Sequence, residues 1–251
     1  MTESGINSHQ IDRASASTIP PGRPAIYQSW GKLLFMHWPV PVESLRPLIP
    51  SQLEIDTFNG QAWLGVVPFT MWNIRPRFTP KVPVLSKAHE LNVRTYVHYK
   101  GFPGVWFLSL EINQTLGNLI GRHIFYLPYH RATIKLDQND QTIHYDLTRW
   151  SKSPSAKFTA SWSIGEELPQ TQPDSLEFFL TERYCLFAEH KSRIYRSRIW
   201  HQPWPLQQAT VHEFRSTMAE ANGLPSPTGE PLLHYAESLS VGIWPLLPVG
   251  I

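Results

Sequence analysis

Three residues with polar side chains, Glu90, Asn92 and Arg94, occupy every second position at the start of the segment 90–99. In a β-strand, residues two apart point to the same face and lie about 7 Å from each other. A carboxyl group, an amide and a guanidinium group in one row are suited to bind a small polar molecule and to exchange a proton with it. On the wet face of an ordinary sheet the same row would be solvated. A functional role therefore requires that this face be turned inward, where a buried Glu–Arg pair is costly unless it is used.

The surrounding pattern predicts the elements that position this row. Alternation over residues 90–99 predicts a strand, turn residues follow at 100–104, and the apolar run 105–112 predicts the second strand of a hairpin. From Asn113, a good N-cap, apolar residues recur at helical spacing until Pro128. The polar residues after the predicted helix are expected to return against the hairpin and to enclose a pocket with it.

Length and composition favour one large β-rich domain. The chain has 251 residues, of which 41% are hydrophobic, enough for a substantial core. Its 23 prolines outnumber its 14 glycines, and many short apolar runs are separated by turn residues, as is typical of β architectures. We predict a mainly β (α+β) fold with two main helices, at 113–128 and 173–184, a flexible N-terminal arm over residues 1–25 and a single domain over residues 26–251.

Charge, cysteine content and motifs exclude several classes of protein. The net charge is +2 and the basic residues are scattered, whereas nucleic-acid binders usually carry a basic stripe. One cysteine allows no intrachain disulfide and no apolar run is long enough to span a membrane, so we expect a cytoplasmic protein without a membrane partner. The 11 histidines lack metal-ligand spacing and no phosphate or dinucleotide loop is found, so no metal or cofactor is expected.

Two further groups are interpreted as structural. The single cysteine, Cys185, is flanked by leucine and phenylalanine and is expected to pack in the core rather than to act as a nucleophile. Glu182 and Arg183, in the second predicted helix, are expected to form a structural ion pair rather than a second acid–base couple.

Several motifs in a fixed order resemble a known family. They are HWPVPVESLRPLIPSQLEIDTFNGQAWLGVVPF, ELNVRTYV, GVWFLSLEIN, YLPYHRA, SLEFFLTERYCLF and HQPWPL. Together they resemble the YqjF-like family DUF2071 over about residues 28–215, a family placed in the acetoacetate decarboxylase-like superfamily. The resemblance implies an antiparallel β-barrel or cone that encloses a largely apolar cavity.

The resemblance also implies site residues. Decarboxylases of that superfamily carry an inward glutamate and, after a G-R-E-like segment, a proline followed by two lysines, one of which forms a Schiff base with the keto acid. Glu90 looks like that glutamate, and the segments Gly121-Arg122-His123 and Pro128-Tyr129-His130 look like the second motif. Tyr129 and His130 thus stand where the lysines would be. A Schiff base needs an amine, which neither a phenol nor an imidazole supplies.

Three hypotheses about function stay open. The first is an enzyme, or a decayed relative of one, that acts on a small organic acid or carbonyl compound without imine chemistry. The candidate catalytic residues are Glu90, Tyr129 and His130, and the candidate substrate-binding residues are Asn92, Arg94 and Arg122. The second is a non-catalytic barrel that binds an apolar or aromatic small molecule, and the third is a barrel filled by its own side chains. The expected partner is a small molecule rather than nucleic acid, and the sequence is compatible with a homo-oligomer as well as a monomer.

Treatment with sodium borohydride in the presence of acetoacetate or pyruvate is expected to leave the mass of the protein unchanged. Lys100, Lys135 and Lys157 could replace the missing amine, but nothing in their spacing points inward. Intact-mass spectrometry measures the result, and a reduced adduct on any lysine would contradict the prediction.

Overall fold

The protein is described by a computed structural model that covers residues 11–78, 87–151 and 155–250. Within these ranges, thirteen strands form one sheet. The strands are β1 (Ile26–Val40), β2 (Glu54–Ile55), β3 (Ala62–Pro76), β4 (Lys87–Tyr99), β5 (Phe102–Ile112), β6 (Tyr129–Asn139), β7 (Thr142–Arg149), β8 (Lys157–Glu167), β9 (Cys185–His190), β10 (Arg193–His201), β11 (Leu206–Ser216), β12 (Leu232–Ile243) and β13 (Leu247–Pro248). The α-helices in the same ranges are α1 (Arg13–Ala16), α2 (Val42–Leu45), α3 (Thr115–His123) and α4 (Leu176–Thr181), and 3₁₀ turns span Arg46–Leu48 and Glu220–Asn222.

The predicted mainly β fold with two longer helices is confirmed. Most strand pairs are antiparallel, but β5 pairs in parallel with β6 and with β9, which a fully antiparallel barrel would not show. The physical reason is the connection, because α3 carries the chain back over β5 before β6 begins, and such a crossover produces a parallel pair.

The strand pairings close on themselves in two circuits. One circuit has seven strands, in the order β1-β3-β4-β5-β9-β10-β12. The other runs through β1-β3-β4-β5-β6-β7-β8-β11-β12. Strands β12, β1, β3, β4 and β5 belong to both circuits. Closure of this kind is what a barrel requires, because it removes the edges of the sheet.

Strand β4, which both circuits share, is buried on both faces over most of its length. On β4, Leu91 and Val93 point into a core that also contains residues of β6, β7 and β8, such as Tyr145 and Trp162. The alternate residue Glu90 points to the opposite side and is just as inaccessible, with 2% of its surface exposed. At this point β4 has an interior on each side and no solvent face, so its polar residues are forced into the interior.

Three bulges change which residues face the inside of the seven-strand circuit. Register shifts occur in β1 after Gly31, in the β1–β3 pairing near Asn73, and in the β4–β5 pairing near Leu108. An extra residue in one strand shifts its alternation by one position. At each bulge the next inward-facing residue is therefore three positions further along the strand instead of two. Leu33 follows Trp30 in β1, Ile74 follows Met71 in β3, and Leu110 follows Phe107 in β5.

The helices are shorter than the sequence predicts. Helix α3 begins after Gln114 rather than after Asn113, because the Asn113 side chain accepts a hydrogen bond from the backbone N–H of His89 at 3.0 Å. Helix α4 ends at Thr181, since Glu182 leaves the helical conformation. No helix in the described ranges is both long enough and apolar enough to cross a membrane.

Residues 11–25, the described part of the predicted flexible arm, accept hydrogen bonds from side chains of β10 and from Trp244, which follows β12. Backbone carbonyls in this segment accept hydrogen bonds from Arg198 (Ala16 and Thr18), from Trp200 (Ser17) and from Trp244 (Pro21). The domain division at residue 25 stays a prediction.

Gly31→Ala is expected to lower the free energy of unfolding by about 2 kcal/mol or more, the range seen for overpacked sites. A methyl group at position 31 would overlap the backbone oxygen of Glu237 and lie 2.7 Å from the Trp72 ring, in a stretch where β1 pairs with β12. Chemical denaturation measures the change. Gly117→Ala is the control, because its methyl group would meet the flexible end of Ile112 and alanine favours the helix, so a change within about 1 kcal/mol is expected. Equal losses in the two variants would contradict the close approach at Gly31.

Candidate functional site

A cavity of about 160 Å³ is lined by residues from every strand of the seven-strand circuit. Helix α3 and the end of α4 supply further wall residues. Most of the wall is apolar. The lining residues with polar functional groups are Gln28, Glu90, Asn92, Arg94, Gln114, Tyr129, Thr181, Arg183 and His201.

The three polar residues that strand alternation places on one face of β4 face this cavity. Glu90, Asn92 and Arg94 all line it, and the exposed fractions of Glu90 and Asn92 are 2% and 5%. The direction of the strand face follows from the apolar residues between them, which pack in the core on the other side. The roles of these side chains remain predictions, but their placement meets the condition that the sequence set for a functional role.

Glu90 and Tyr129 form the hydrogen-bonded pair at one end of the cavity. The Tyr129 hydroxyl donates to Glu90 Oε2 at 2.8 Å, and the Tyr145 hydroxyl donates to the Glu90 backbone oxygen at 2.9 Å. Burial raises the pKa of Glu90 to about 8, although the hydrogen bond from Tyr129 acts in the opposite direction, and the nearby charge of Glu111 raises it further. The Glu90 carboxyl group is therefore mostly protonated at neutral pH, and it can act as a proton donor.

The position of Tyr129 depends on a glycine in the helix that covers the cavity. Gly121 lies in α3, and a methyl group at this position would overlap the Tyr129 ring. The backbone N–H of Leu110 donates to the oxygen of Pro128 at 3.1 Å, which fixes the start of β6 against β5. The motif that resembles the decarboxylase segment thus brings Gly121 and Tyr129 into contact.

His130 and Arg122 lie outside the cavity. His130 and Arg122 line a second, open groove of about 610 Å³, and Tyr129 contributes to the walls of both the groove and the cavity. Burial lowers the pKa of His130 to about 4, and the charges of Arg149 and Arg122 add to the effect. This differs from the expectation that both residues act beside Glu90. Successive residues of a strand point to opposite faces, so the Tyr129 hydroxyl reaches Glu90 whereas His130 does not line the cavity.

Arg94 provides a cation at the other end of the cavity. Its Nη2 donates to the Leu180 carbonyl oxygen at 3.3 Å, and its guanidinium carbon lies 5.4 Å from the centre of the Phe35 ring and 5.7 Å from that of Tyr96. Its Nε is buried without a hydrogen-bond partner. Among the described residues, Arg94 has no ion pair with a carboxylate. An anion inside the cavity would neutralise it.

Arg183 is a second cation on the wall, which sequence analysis did not assign to the site. It pairs with Asp56 at 2.7 Å, and Asp56 also pairs with Arg13. Glu182, its predicted partner, instead accepts a hydrogen bond from the Trp204 backbone N–H at 2.8 Å, so the expected Glu182–Arg183 pair is wrong. The resemblance at SLEFFLTERYCLF was the sequence signal that could have marked this position.

The positive charge at this end of the cavity affects two imidazoles. Burial lowers the pKa of His201 to about 4, and the charge of Arg94 contributes in the same direction. Burial also places the pKa of His37 well below its usual range, and Arg94 is the largest charge acting on it. Both imidazoles are neutral at pH 7, so the guanidinium groups carry the positive charge of the site.

The described wall offers no amine, metal cluster or reactive thiol. No lysine belongs to the residues that line the cavity, and Lys100, Lys135 and Lys157 are exposed. The described residues contain no group of three His, Cys, Asp or Glu side chains placed to hold a metal ion. Cys185 is fully buried, and burial raises the pKa of its thiol to about 12, as suits a core residue.

Sequence comparison identifies the family. Residues 27–240 match the model of DUF2071, which is described as an uncharacterized conserved protein. The chain is 41% identical over 229 residues to the uncharacterized protein YqjF of Bacillus subtilis (strain 168), and the match covers 91% of this chain and 94% of that relative. The chain belongs to the DUF2071 family. The resemblance inferred from the motifs is thereby confirmed.

Solved structures show that this DUF2071 chain has an acetoacetate decarboxylase-like fold. The enduracididine biosynthesis enzyme MppR complexed with pyruvate matches with a TM-score of 0.65 at 12% identity, covering 94% of this chain and 95% of that one. An acetoacetate decarboxylase-like enzyme from Sphingomonas wittichii RW1 matches with a TM-score of 0.62 at 11% identity, covering 92% and 96%. Acetoacetate decarboxylase from Legionella pneumophila subsp. pneumophila str. Philadelphia 1 matches with a TM-score of 0.60 at 13% identity, covering 98% of each chain.

The stability of this DUF2071 protein is expected to fall between about pH 4.5 and pH 8 because of Glu90. Over this range the unfolded chain releases the Glu90 proton, while the folded protein retains it until about pH 8. The folded state then binds more protons, so the free energy of unfolding decreases as the pH rises, by up to about 4 kcal/mol for this residue. Glu90→Gln removes this contribution, and the variant should gain stability relative to wild type from pH 5 to pH 8.

Denaturation midpoints at several pH values measure this difference. Glu237→Gln is the matched control, since Glu237 also accepts a hydrogen bond from a tyrosine, Tyr235, but is exposed and does not line the cavity. Its profile should follow wild type. Parallel profiles for Glu90→Gln and wild type would contradict the raised pKa.

Proposed function

We propose that this protein takes up a small organic acid in the cavity and exchanges a proton with it through Glu90, without an imine intermediate. The observation that carries the proposal is the arrangement of two polar ends on one β4 face. A buried carboxyl group bonded to Tyr129 lies at one end, and the guanidinium group of Arg94, which has no ion pair among the described residues, lies at the other.

The chemistry assigned to Glu90 is proton transfer at a carbon next to a carbonyl group. The ionised form of Glu90 removes the proton, the C–H electron pair moves into the carbonyl group, and an enolate forms. Protonated Glu90 then returns the proton to the same carbon. A pKa of about 8 supports both steps near neutral pH, because general acid–base catalysis works best when the pKa lies close to the operating pH.

Three other wall residues support this chemistry. The Tyr129 hydroxyl stabilises the ionised form of Glu90 by its hydrogen bond of 2.8 Å. Arg94 and Arg183 place positive charge on the wall of the cavity, where it favours the binding of an anionic ligand. Tyr129 has no amine with which to form an imine, so the reaction proposed here needs only proton movement.

The similar structures support the choice of ligand class. MppR is described in complex with pyruvate, and two other matches are named as acetoacetate decarboxylase or a similar enzyme. Small oxo acids are therefore the first compounds to test. The described cavity wall contains no lysine, which supports a mechanism without an imine.

A second candidate function, binding without catalysis, is favoured by the largely apolar wall. Such walls bury small molecules mainly through the hydrophobic effect, and a few polar groups fix their orientation. In this case Glu90 would donate a hydrogen bond to a retained ligand. Native mass spectrometry of freshly purified protein would show the retained mass.

The proposed proton transfer is expected to exchange solvent deuterium into the carbon next to the carbonyl of an oxo acid. Proton NMR in D₂O, with a panel of 2-oxo and 3-oxo acids with and without aromatic rings, measures the rate. Glu90→Gln should lower it by about 100-fold or more, the usual contribution of a general acid–base group. Glu237→Gln, the tyrosine-bonded glutamate outside the cavity, should leave it unchanged.

Undiminished exchange in Glu90→Gln would contradict the role of this residue. If no acid of the panel exchanges but Glu90→Gln loses a ligand that wild type retains, the binding function replaces the catalytic one.

A further inference from the structure

Four aromatic side chains form a continuous row along one side of the cavity. The ring of Trp30 lies edge-on to Phe69 at 5.7 Å between ring centres and stacks with Trp204 at 6.3 Å. Trp204 in turn lies edge-on to Phe35 at 5.2 Å. Phe69, Trp30 and Trp204 line the cavity directly. Aromatic rings favour edge-to-face and offset contacts with further rings, so this wall is suited to an aromatic ligand.

The aromatic row connects the two polar ends of the site. Phe69 is the direct cross-strand partner of Glu90 in the β3–β4 pairing, so the two side chains lie side by side on the same face. At the other end, the Phe35 ring lies 5.4 Å from the guanidinium carbon of Arg94. A ring held against Trp30 and Trp204 would therefore lie between the carboxyl group and the cation.

The described wall contains buried N–H groups that no protein atom accepts. They belong to Trp30 (Nε1), Arg94 (Nε) and Arg183 (Nη2), against one unpartnered acceptor, the Asn92 side-chain oxygen. A buried donor without a partner costs free energy, and most such groups in proteins are satisfied. Two of the three donors carry positive charge. A ligand that supplies acceptor oxygens and one negative charge would satisfy this set, and a carboxylate does both.

The dimensions of the site select against the shortest acids. Glu90 and Arg94 are four positions apart on β4, which places their Cα atoms about 13 Å from each other in an extended strand. Arg94 extends toward Tyr96, because its Nη2 lies 3.5 Å from the Tyr96 hydroxyl, so it does not shorten the distance to Glu90. The volume of about 160 Å³ is close to the roughly 150 Å³ of a cavity that accommodates benzene.

We infer that the ligand is an aromatic carboxylic acid whose carboxylate lies at Arg94, whose ring packs against Trp30 and Trp204, and whose far end approaches Glu90. This inference rests on the proposed function and names the substrate class. An oxo acid of three or four carbons would be too short to contact Arg94 and Glu90 together. An arylalkanoic acid with a short side chain can contact Arg94 while its ring fills the apolar wall.

Three probes test this inference by isothermal titration calorimetry at pH 7. They are 3-phenylpropanoate, its neutral isostere 3-phenylpropanamide, and butanoate, which has the charge but no ring. We expect 3-phenylpropanoate to bind with a Kd at least tenfold lower than either of the others. Equal affinity for the acid and the amide, equal affinity for the two acids, or no binding of 3-phenylpropanoate would each overturn the inference. This comparison uses the wild-type protein and does not depend on any variant.

Matched variants then locate the two halves of the ligand. Arg94→Gln should abolish the preference for the acid over the amide and leave the affinity for the amide unchanged. Arg122→Gln should alter neither, because Arg122 lines the open groove and not the cavity. Trp30→Leu should weaken binding of both aromatic probes by at least fivefold, whereas Trp150→Leu, an exposed tryptophan outside the cavity, should not. Loss of the acid preference in Arg122→Gln rather than Arg94→Gln would move the carboxylate to the groove and overturn the inference.

These experiments distinguish a wrong ligand class from a wrong assignment of proton transfer. If 3-phenylpropanoate binds with the expected selectivity and no oxo acid undergoes deuterium exchange, the ligand class stands and proton transfer fails. If a short oxo acid exchanges through Glu90 and the aromatic probes show no preference, proton transfer stands and the ligand class fails.

Discussion

The structure depends on the burial of β4 on both faces. Two closed circuits of strands share this strand, so Leu91 and Val93 fill one interior while Glu90 and Asn92 are held in the other. A carboxyl group in this position cannot be solvated, and its pKa rises because the charged form loses the stabilisation of water. The same topology that forms the core thus creates a neutral acid at neutral pH.

Charge is distributed unevenly along this buried face. At one end, a neutral carboxyl group and a phenol form a hydrogen-bonded pair, and at the other end Arg94 and Arg183 share the wall with the neutral imidazole of His201. The aromatic row between them provides apolar surface that connects the two ends. An elongated ligand with an apolar body and an anionic end is complementary to each part of this arrangement. This is why ligand uptake and proton transfer are proposed for the same cavity.

The sequence predicted which residues of one strand share a face better than it predicted which distant elements complete the wall of the cavity. Strict alternation was sufficient to place Glu90, Asn92 and Arg94 on one face, and the family motifs identified Tyr129 as the residue in the lysine position. His130 could not be excluded from the motif alone, because its direction depends on where β6 begins. Arg183 and Trp204 were missed because they reach the cavity through strand pairings distant in sequence, and the bulges that redirect β1, β3 and β5 have no clear signal in the apolar pattern.

The protonation state of Glu90 is the most direct test of this account. Carbon-13 NMR of the side-chain carboxyl of Glu90, assigned by comparison with Glu90→Gln, reports its titration without reference to any ligand. The account predicts a midpoint near pH 8. A midpoint near 4.5, the usual value for glutamate, would show that the carboxyl group is solvated and ionised at neutral pH, and it would contradict the inward-facing site.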